Sequence, residues 1–451
     1  MKVDRRFMLK TLGLGSGMWM LSPMQLLRSE PKQDKPLRHF VFCYFGGGWD
    51  TLLSLDPRDP GKFTDSRVTD TRIQPAYDRL EDEFAKDILQ PSGCNIEFGP
   101  IMGDYVRHFD KTCVVRGVSM DTLSHTSGRQ YFVTGKMPRG GVAAGSSIPT
   151  WIVSEQGKHS PIPNLVVGVS TYNRGLPAYA TGLKVSGVSD LLTTLRDGPQ
   201  APKKEIRELL NEYRKNYTYC DPVDNNRDGL LSLVSTAQGQ ARELVTRGLD
   251  KYFNFYSSAP EMKALKARYK ITSLSSGNAQ AAMAFQALKH GLAQCVSISL
   301  AGGLDTHGTN WYRDQPRRQA SGWKALGLLM DDLKATDHPE GGKFIDHTTV
   351  VCFSEFCRTP MLNSSGGRDH WLASSCLLAG AGVPHNTVVG RTSDVGMNAL
   401  SINPNTGEAA DNGVKVTPTN IMASLFQSAG YAYDQFRVSP LPCLVGDNTR
   451  S

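Results

Sequence analysis

VVCFSEFCRTPMLNSSGGRDHW, residues 350–371, sets a carboxylate, two arginines, an aspartate and a histidine directly behind an apolar run. Thr348 to Phe353 is β-branched and apolar, the pattern of a buried central strand, and Glu355 stands just past its end. Ligands of open α/β sheets bind at the carboxyl ends of strands. Glu355 and Arg358, and then Arg368, Asp369 and His370 beyond the Gly366-Gly367 turn, are therefore expected to converge on one edge. The same residues also suit a structural role, with Glu355 and Arg358 as an ion pair and His370 capping a helix.

Two other runs repeat the arrangement. Arg38 to Phe45 (RHFVFCYF) predicts a strand ending in three glycines, Trp49 and Asp50, so that a sharp turn places Asp50 at the strand's carboxyl end. Gln294 to Leu300 (QCVSISL) predicts another, followed by Gly302-Gly303-Leu304-Asp305-Thr306-His307. A fourth strand, Lys111 to Gly117, leads into Ser124, His125, Thr126, Ser127 and Arg129 at the start of a helix ending near Gly135. A helix amino end offers free N–H groups and a positive dipole end to an anion. Asp50 is equally suited to capping a turn, and Ser124 or Thr126 to capping the helix.

Carboxylate oxygen with imidazole nitrogen, and no thiolate, is a donor set for a divalent metal, with Zn or Mn favoured when several histidines take part and Mg or Ca as alternatives. Asp50, Asp305, His307, Glu355, Asp369 and His370 are the expected metal ligands.

Outside these runs the sequence predicts helices over 75–89, 99–110, 203–217, 232–256, 276–292, 315–335 and 418–430, loops over 171–187 and 218–229, and late strands at 376–380 and 387–390. Strands alternating with helices predict an α/β fold, a three-layer α/β/α sandwich around a mainly parallel sheet. Residues 38–451 read as a single domain with helical and loop insertions around 170–290.

The chain of 451 residues is 39% hydrophobic and 21% charged, ordinary for a globular enzyme. Its formal charge is +7, and Lys2, Arg5, Arg6, Lys10 and Arg28 against Asp4 and Glu30 supply much of it. The remainder forms no basic block, which argues against nucleic-acid binding. Residues 1–30 read as a targeting segment: Arg5-Arg6-Phe7-Met8-Leu9-Lys10 is close to the twin-arginine export pattern, and Thr11 to Leu27 is modestly apolar. Gly13, Gly15, Gly17 and Pro23 make it a poor permanent membrane span. Residues 31–37 form a linker. The expected address is periplasmic or extracellular through the twin-arginine translocation machinery, with tethering if the segment is not cleaved. Nine scattered cysteines without a C-x-x-C predict few or no disulfides.

GGGWD, SHTSGRQYFVTG, GGLDTHGTN, SEFCRTP and GGRDHW, in this order behind a twin-arginine signal, resemble the bacterial exported family called domain of unknown function 1501. That family is similar to the alkaline phosphatase and sulfatase superfamily. The resemblance implies an alkaline phosphatase-like fold, a metal site of Asp50, Asp305, His307, Glu355 and His370, and a small anionic ester as substrate. In such relatives the nucleophile stands nine residues before the Thr of a Thr-Gly pair. Counting back from Thr134 reaches His125, and Phe356 takes the place of the late His. The catalytic candidates are Ser124, His125 and Thr126. Any of them could attack, His125 could instead be a ligand, or the site hydrolyses nothing. Arg129, Arg358 and Arg368 are expected to hold the anion. The sequence thus points to an exported metal-dependent hydrolase of a phosphate or sulfate ester; the alternative is an inactive binding or assembly protein of the cell envelope with an envelope protein as partner.

Overall fold

The structure, a computed structural model, describes residues 37–196 and 248–446 with a few isolated positions between 205 and 212. The export segment, nearly all of the linker, and most of the helices expected over 203–217 and 232–256 lie outside the described residues. Ten strands matter for the site: β1 His39–Phe45, β2 Thr112–Ser119, β3 Asn164–Val167, β4 Leu183–Val185, β5 Cys295–Ala301, β6 Thr348–Phe353, β7 Cys357–Arg358, β8 His370–Trp371, β9 Ala373–Gly380 and β10 Thr387–Val389. Eight of them form one sheet in the order β10-β2-β9-β6-β1-β5-β3-β4, and β7 pairs with β8 as a short ribbon. β1 runs parallel to both β5 and β6, and β9 alone is reversed, pairing antiparallel with β2 and β6.

Side chains of a strand alternate between faces, and β1 is apolar on both. Val41, Cys43 and Phe45 enter one core, while Phe40, Phe42 and Tyr44 enter the other. The first core is closed by helices α5 Gly277–Lys289 and α6 Trp311–Ala335. The second is closed by α1 His125–Thr134, α2 Ile148–Gln156 and α7 Pro418–Ser428. Helices α3 Val188–Leu195 and α4 Pro260–Arg268 complete the first layer. This is the three-layer α/β/α sandwich with a mainly parallel sheet that the strand and helix alternation predicts. Each buried Val or Phe contributes about 1.5–3 kcal/mol by leaving water, so a charge at Phe42 would break the second layer.

Several local expectations change. Residues 75–89 hold only a turn at Tyr77–Arg79, because Ala76 after Pro75 is left-handed at φ 55° and the Tyr77 hydroxyl is anchored on the Leu52 carbonyl at 2.8 Å. Residues 103–111 wind as a 3-10 stretch, and the 171–187 loop contains β4. α6 begins at Trp311 rather than 315, and the Trp311 indole there donates to Asp50 Oδ2 at 2.9 Å. α2 and α4 open on prolines, a start signal the apolar pattern overshadowed. Among the described residues all eight cysteines are free, seven of them buried.

Candidate metal centre

The loops after β1, β5 and β6 and the amino end of α1 meet above the sheet, and two glycines let them touch. Gly47 has φ 112°, and a Cβ there would lie 2.5 Å from the Leu304 backbone nitrogen, where the β1 and β5 loops cross. A Cβ on Gly128 would lie 2.2 Å from the Glu355 carbonyl, so α1 can approach the β6 loop only with glycine at that turn.

Three histidines gather there with Asp305, and the partner of each Nδ1 decides what its Nε2 offers. His125 Nδ1 lies 2.7 Å from Glu355 Oε1. Burial opposes ionisation of Glu355, but hydrogen bonds from His125, backbone, Tyr44 and Ser354 outweigh it and hold the carboxyl below its usual range. An ionised carboxylate only accepts, so in the neutral His125 ring the proton sits on Nδ1 and Nε2 is bare. His307 Nδ1 lies 2.7 Å from Asp369 Oδ1, whose pKa is lowered first by that hydrogen bond; His370 Nδ1 lies 2.8 Å from the Leu123 carbonyl. Neutral His307 and His370 are therefore also bare at Nε2. Burial keeps His370 below the ordinary imidazole range and thus neutral.

The three Nε2 atoms surround the Asp305 carboxylate. His307 and His370 Nε2 are 3.1 Å apart, and Asp305 Oδ1 is 3.0 Å from the first and 3.6 Å from the second. His125 Nε2 is buried without a hydrogen-bond partner, 3.5 Å from Asp305 Oδ2. Ligand bonds of about 2.0–2.1 Å in a tetrahedron separate neighbouring donors by about 3.3 Å, so this spacing suits one small divalent ion. Histidine ligands ordinarily donate the other ring N–H to a carboxylate or carbonyl, as all three do here. His125, Asp305 and His370 together meet the spacing of a metal-ligand group.

The remaining expected site residues have other duties. Glu355 accepts from His125 and the Gly47 N–H (2.9 Å) on Oε1, and from the Tyr44 and Ser354 hydroxyls (2.9 Å each) on Oε2. It orients a ligand rather than joining the group. Asp369 does the same for His307. Asp50, at the end of β1 as expected, faces away into the protein: Arg368 Nε and Trp311 Nε1 each stand 2.9 Å from its Oδ2, and it accepts from Leu52 N at 3.1 Å as a turn cap. Arg368 spends its other donors on the Thr359, Gln74 and Pro75 carbonyls. All five donors of Arg358 are also engaged, by the Gly47, Gly48 and Arg368 carbonyls, Asp305 Oδ1 at 2.7 Å and His307 Nε2 at 3.2 Å. Arg358 thus retains no donor for a substrate anion, and Arg368 is fully buried against Asp50. Arg129, one turn after His125 on the same face of α1, has a buried Nε without a hydrogen-bond partner. Ser124 caps α1, accepting from Ser127 N at 3.4 Å, and Thr126 is exposed. Tyr44 and Ser354 gave no sequence signal, being polar members of otherwise apolar strand text; their hydroxyls matter only because β1 and β6 lie side by side.

No curated relative matches the sequence. Among solved structures the chain is similar to a Bacteroides thetaiotaomicron protein described under the metabolism of multiple glycosaminoglycans (9% identity, TM-score 0.34, covering 92% of this chain and 78% of that one). It is similar also to a protein solved with its substrate D-glucosamine-2-N,6-O-disulfate (9% identity, TM-score 0.34, 91% and 80% covered) and to i-CgsB in complex with k-i-k-neocarrahexaose (9%, 0.32, 90% and 75%). A family model matches residues 38–416, and the chain belongs to that family, described as protein of unknown function (DUF1501).

Proposed function

We propose that this chain binds one divalent cation, Zn or Mn, through His125, Asp305 and His370, with His307 beside them, and hydrolyses a small phosphate or sulfate ester. The observation that carries the reading is the convergence of His125, Asp305 and His370, with acceptors on Nδ1 of both rings turning Nε2 toward Asp305 and His125 Nε2 buried and unpaired, while His307 Nε2 beside them accepts from Arg358 Nη1 at 3.2 Å. An ion there would supply a Lewis acid that polarises the ester and acidifies water. Arg129 is the group available to balance the anion's charge, while Arg358 keeps Asp305 and the loops in place. With Ser124 turned to its capping duty, water rather than a hydroxyl side chain is the attacking group this arrangement favours.

That same capping geometry supports a second reading, an inactive envelope protein that keeps the ion for structure. The test is metal analysis of the purified protein joined to a screen of aryl phosphate, phosphodiester and aryl sulfate substrates, with Asp305→Ala as control. Bound metal with Asp305-dependent turnover supports the hydrolase; bound metal without turnover supports the second reading; no bound metal and no effect of chelator sinks both. The twin-arginine address belongs to the proposal too. Among the described residues no helix is long and apolar enough to cross a membrane.

A further inference from the structure

At the opposite edge of the sheet, the amino ends of β1 and β6 carry a second group of imidazoles: His39, His338 and His347. His39 is in register with Thr348 of β6, immediately after His347. His338 lies in a hairpin closed by a bridge between Asp337 and Lys343 and by mutual backbone bonds of His338 with Gly341 and Gly342.

Proton positions here follow from the partners. The Glu340 backbone N–H donates to His338 Nδ1 at 3.2 Å, so neutral His338 carries its proton on Nε2 and donates it to His39 Nε2 at 3.2 Å. His39 then keeps its own proton on Nδ1, which is buried and lacks a partner. His347 donates from Nε2 to the Gly341 carbonyl at 2.7 Å and stacks on His338 with centroids 3.8 Å apart. Phe344 closes the group against both His338 and His39. His338, Glu340 and His347 have the spacing of a metal-ligand group, yet both nitrogens of His338 are already engaged. No pair of bare nitrogens converges as at the other edge.

We propose that this chain of neutral imidazoles is an acid-sensitive latch, holding the hairpin of residues 337–343 to the start of β1 and releasing it as pH falls. An added proton has no place: on His338 Nδ1 it meets the Glu340 N–H, and on His39 Nε2 it meets the His338 N–H. The surrounding charges do not reverse this. On the hairpin, Glu340 favours a cation at His338, while Asp337 is occupied by Lys343. From the flanking turns, Asp346 faces His347 but is held by the Lys343 N–H and by Lys111. On β1, neighbouring Arg38 reaches Ser428. Burial first, and then His338 and His347, lower His39 to about 3; burial and His347 lower His338.

Both shifts are downward, so the latch is intact above the ordinary imidazole value of 6.5 and weakens as pH drops below it. Each histidine released then favours the open hairpin by about tenfold per pH unit.

Hydrogen exchange of residues 337–345, corrected for intrinsic rate, tests this. Opening is expected to increase at least about fivefold between pH 6.5 and 5.5. His338→Gln, whose amide can accept from Glu340 and donate to His39, should flatten that dependence, with His39→Gln as a second variant. In the folded wild-type protein, imidazole proton resonances of His39 should stay in the neutral form throughout that range, and those of His338 should titrate below the ordinary imidazole value. Exchange independent of pH, ordinary titration of both rings, or suppression of opening by Zn2+ would each overturn the latch, the last by making the cluster a cation site.

Discussion

Glu355 Oε1 stands 2.7 Å from His125 Nδ1, and that contact decides which nitrogen of His125 is left for Asp305. Four donors converge on this buried carboxylate, so it is a fixed acceptor. Glu355→Gln would keep the shape but allow the ring to flip its tautomer. Metal affinity should fall about 10–100-fold, as for other carboxylates behind histidine ligands. Competition with a chromogenic chelator measures it; an unchanged affinity would remove Glu355 from the centre.

The same carboxylate gives a pH dependence. Its folded pKa is lowered from 4.5, so its stabilisation is present above the unfolded value and disappears as pH falls through the folded one. Acid unfolding of the wild type should therefore steepen below about pH 4.5 relative to Glu355→Gln. Circular dichroism against pH checks it, and parallel curves for the two proteins would contradict the assignment of an ionised Glu355.

Asp50 and Arg368 form a fully buried pair, with the guanidinium 4.6 Å from the Trp311 ring centre. Removing one partner strands the other's charge, so Arg368→Met should cost about 3–5 kcal/mol, and Asp50→Asn should be less damaging in the Met background than alone. Denaturant titration reads both. Metal content of the folded fraction is expected to hold, which separates this pair from the ligands.

How much of this the sequence carried differs by level. The sheet was legible because β1, β5 and β6 are continuous apolar runs, and the period of two assigns their faces. The gathering of carboxylates and imidazoles behind strand ends was legible for the same reason. What composition could not carry was direction. Asp50 and Asp305 have similar glycine-rich settings, yet one turns inward to Arg368 and Trp311 and the other to three imidazoles. The partners of Asp50 come from elements hundreds of residues away, and those of Asp305 include His125 and His370 from two other loops. His125 illustrates the converse: its position at the start of α1 was evident, and its duty depends on Glu355, 230 residues further on.

Arg129 separates anion binding from metal binding. It follows His125 by one helical turn, its Nε lacks a partner, Arg358 has spent every donor on the protein, and Arg368 lies fully buried against Asp50. A charge-assisted hydrogen bond contributes about 1.5–3 kcal/mol, so Arg129→Ala should raise KM for an anionic ester about 10–100-fold. Metal content should stay unchanged because no ligand or orienting carboxylate is touched. Arg129→Lys should recover part of the loss by restoring charge without the planar fork. Steady-state kinetics with metal analysis on the same samples decides: a KM that Arg129→Ala leaves in place would assign the anion's charge to the cation alone, and a fall in bound metal would make Arg129 a support of the centre.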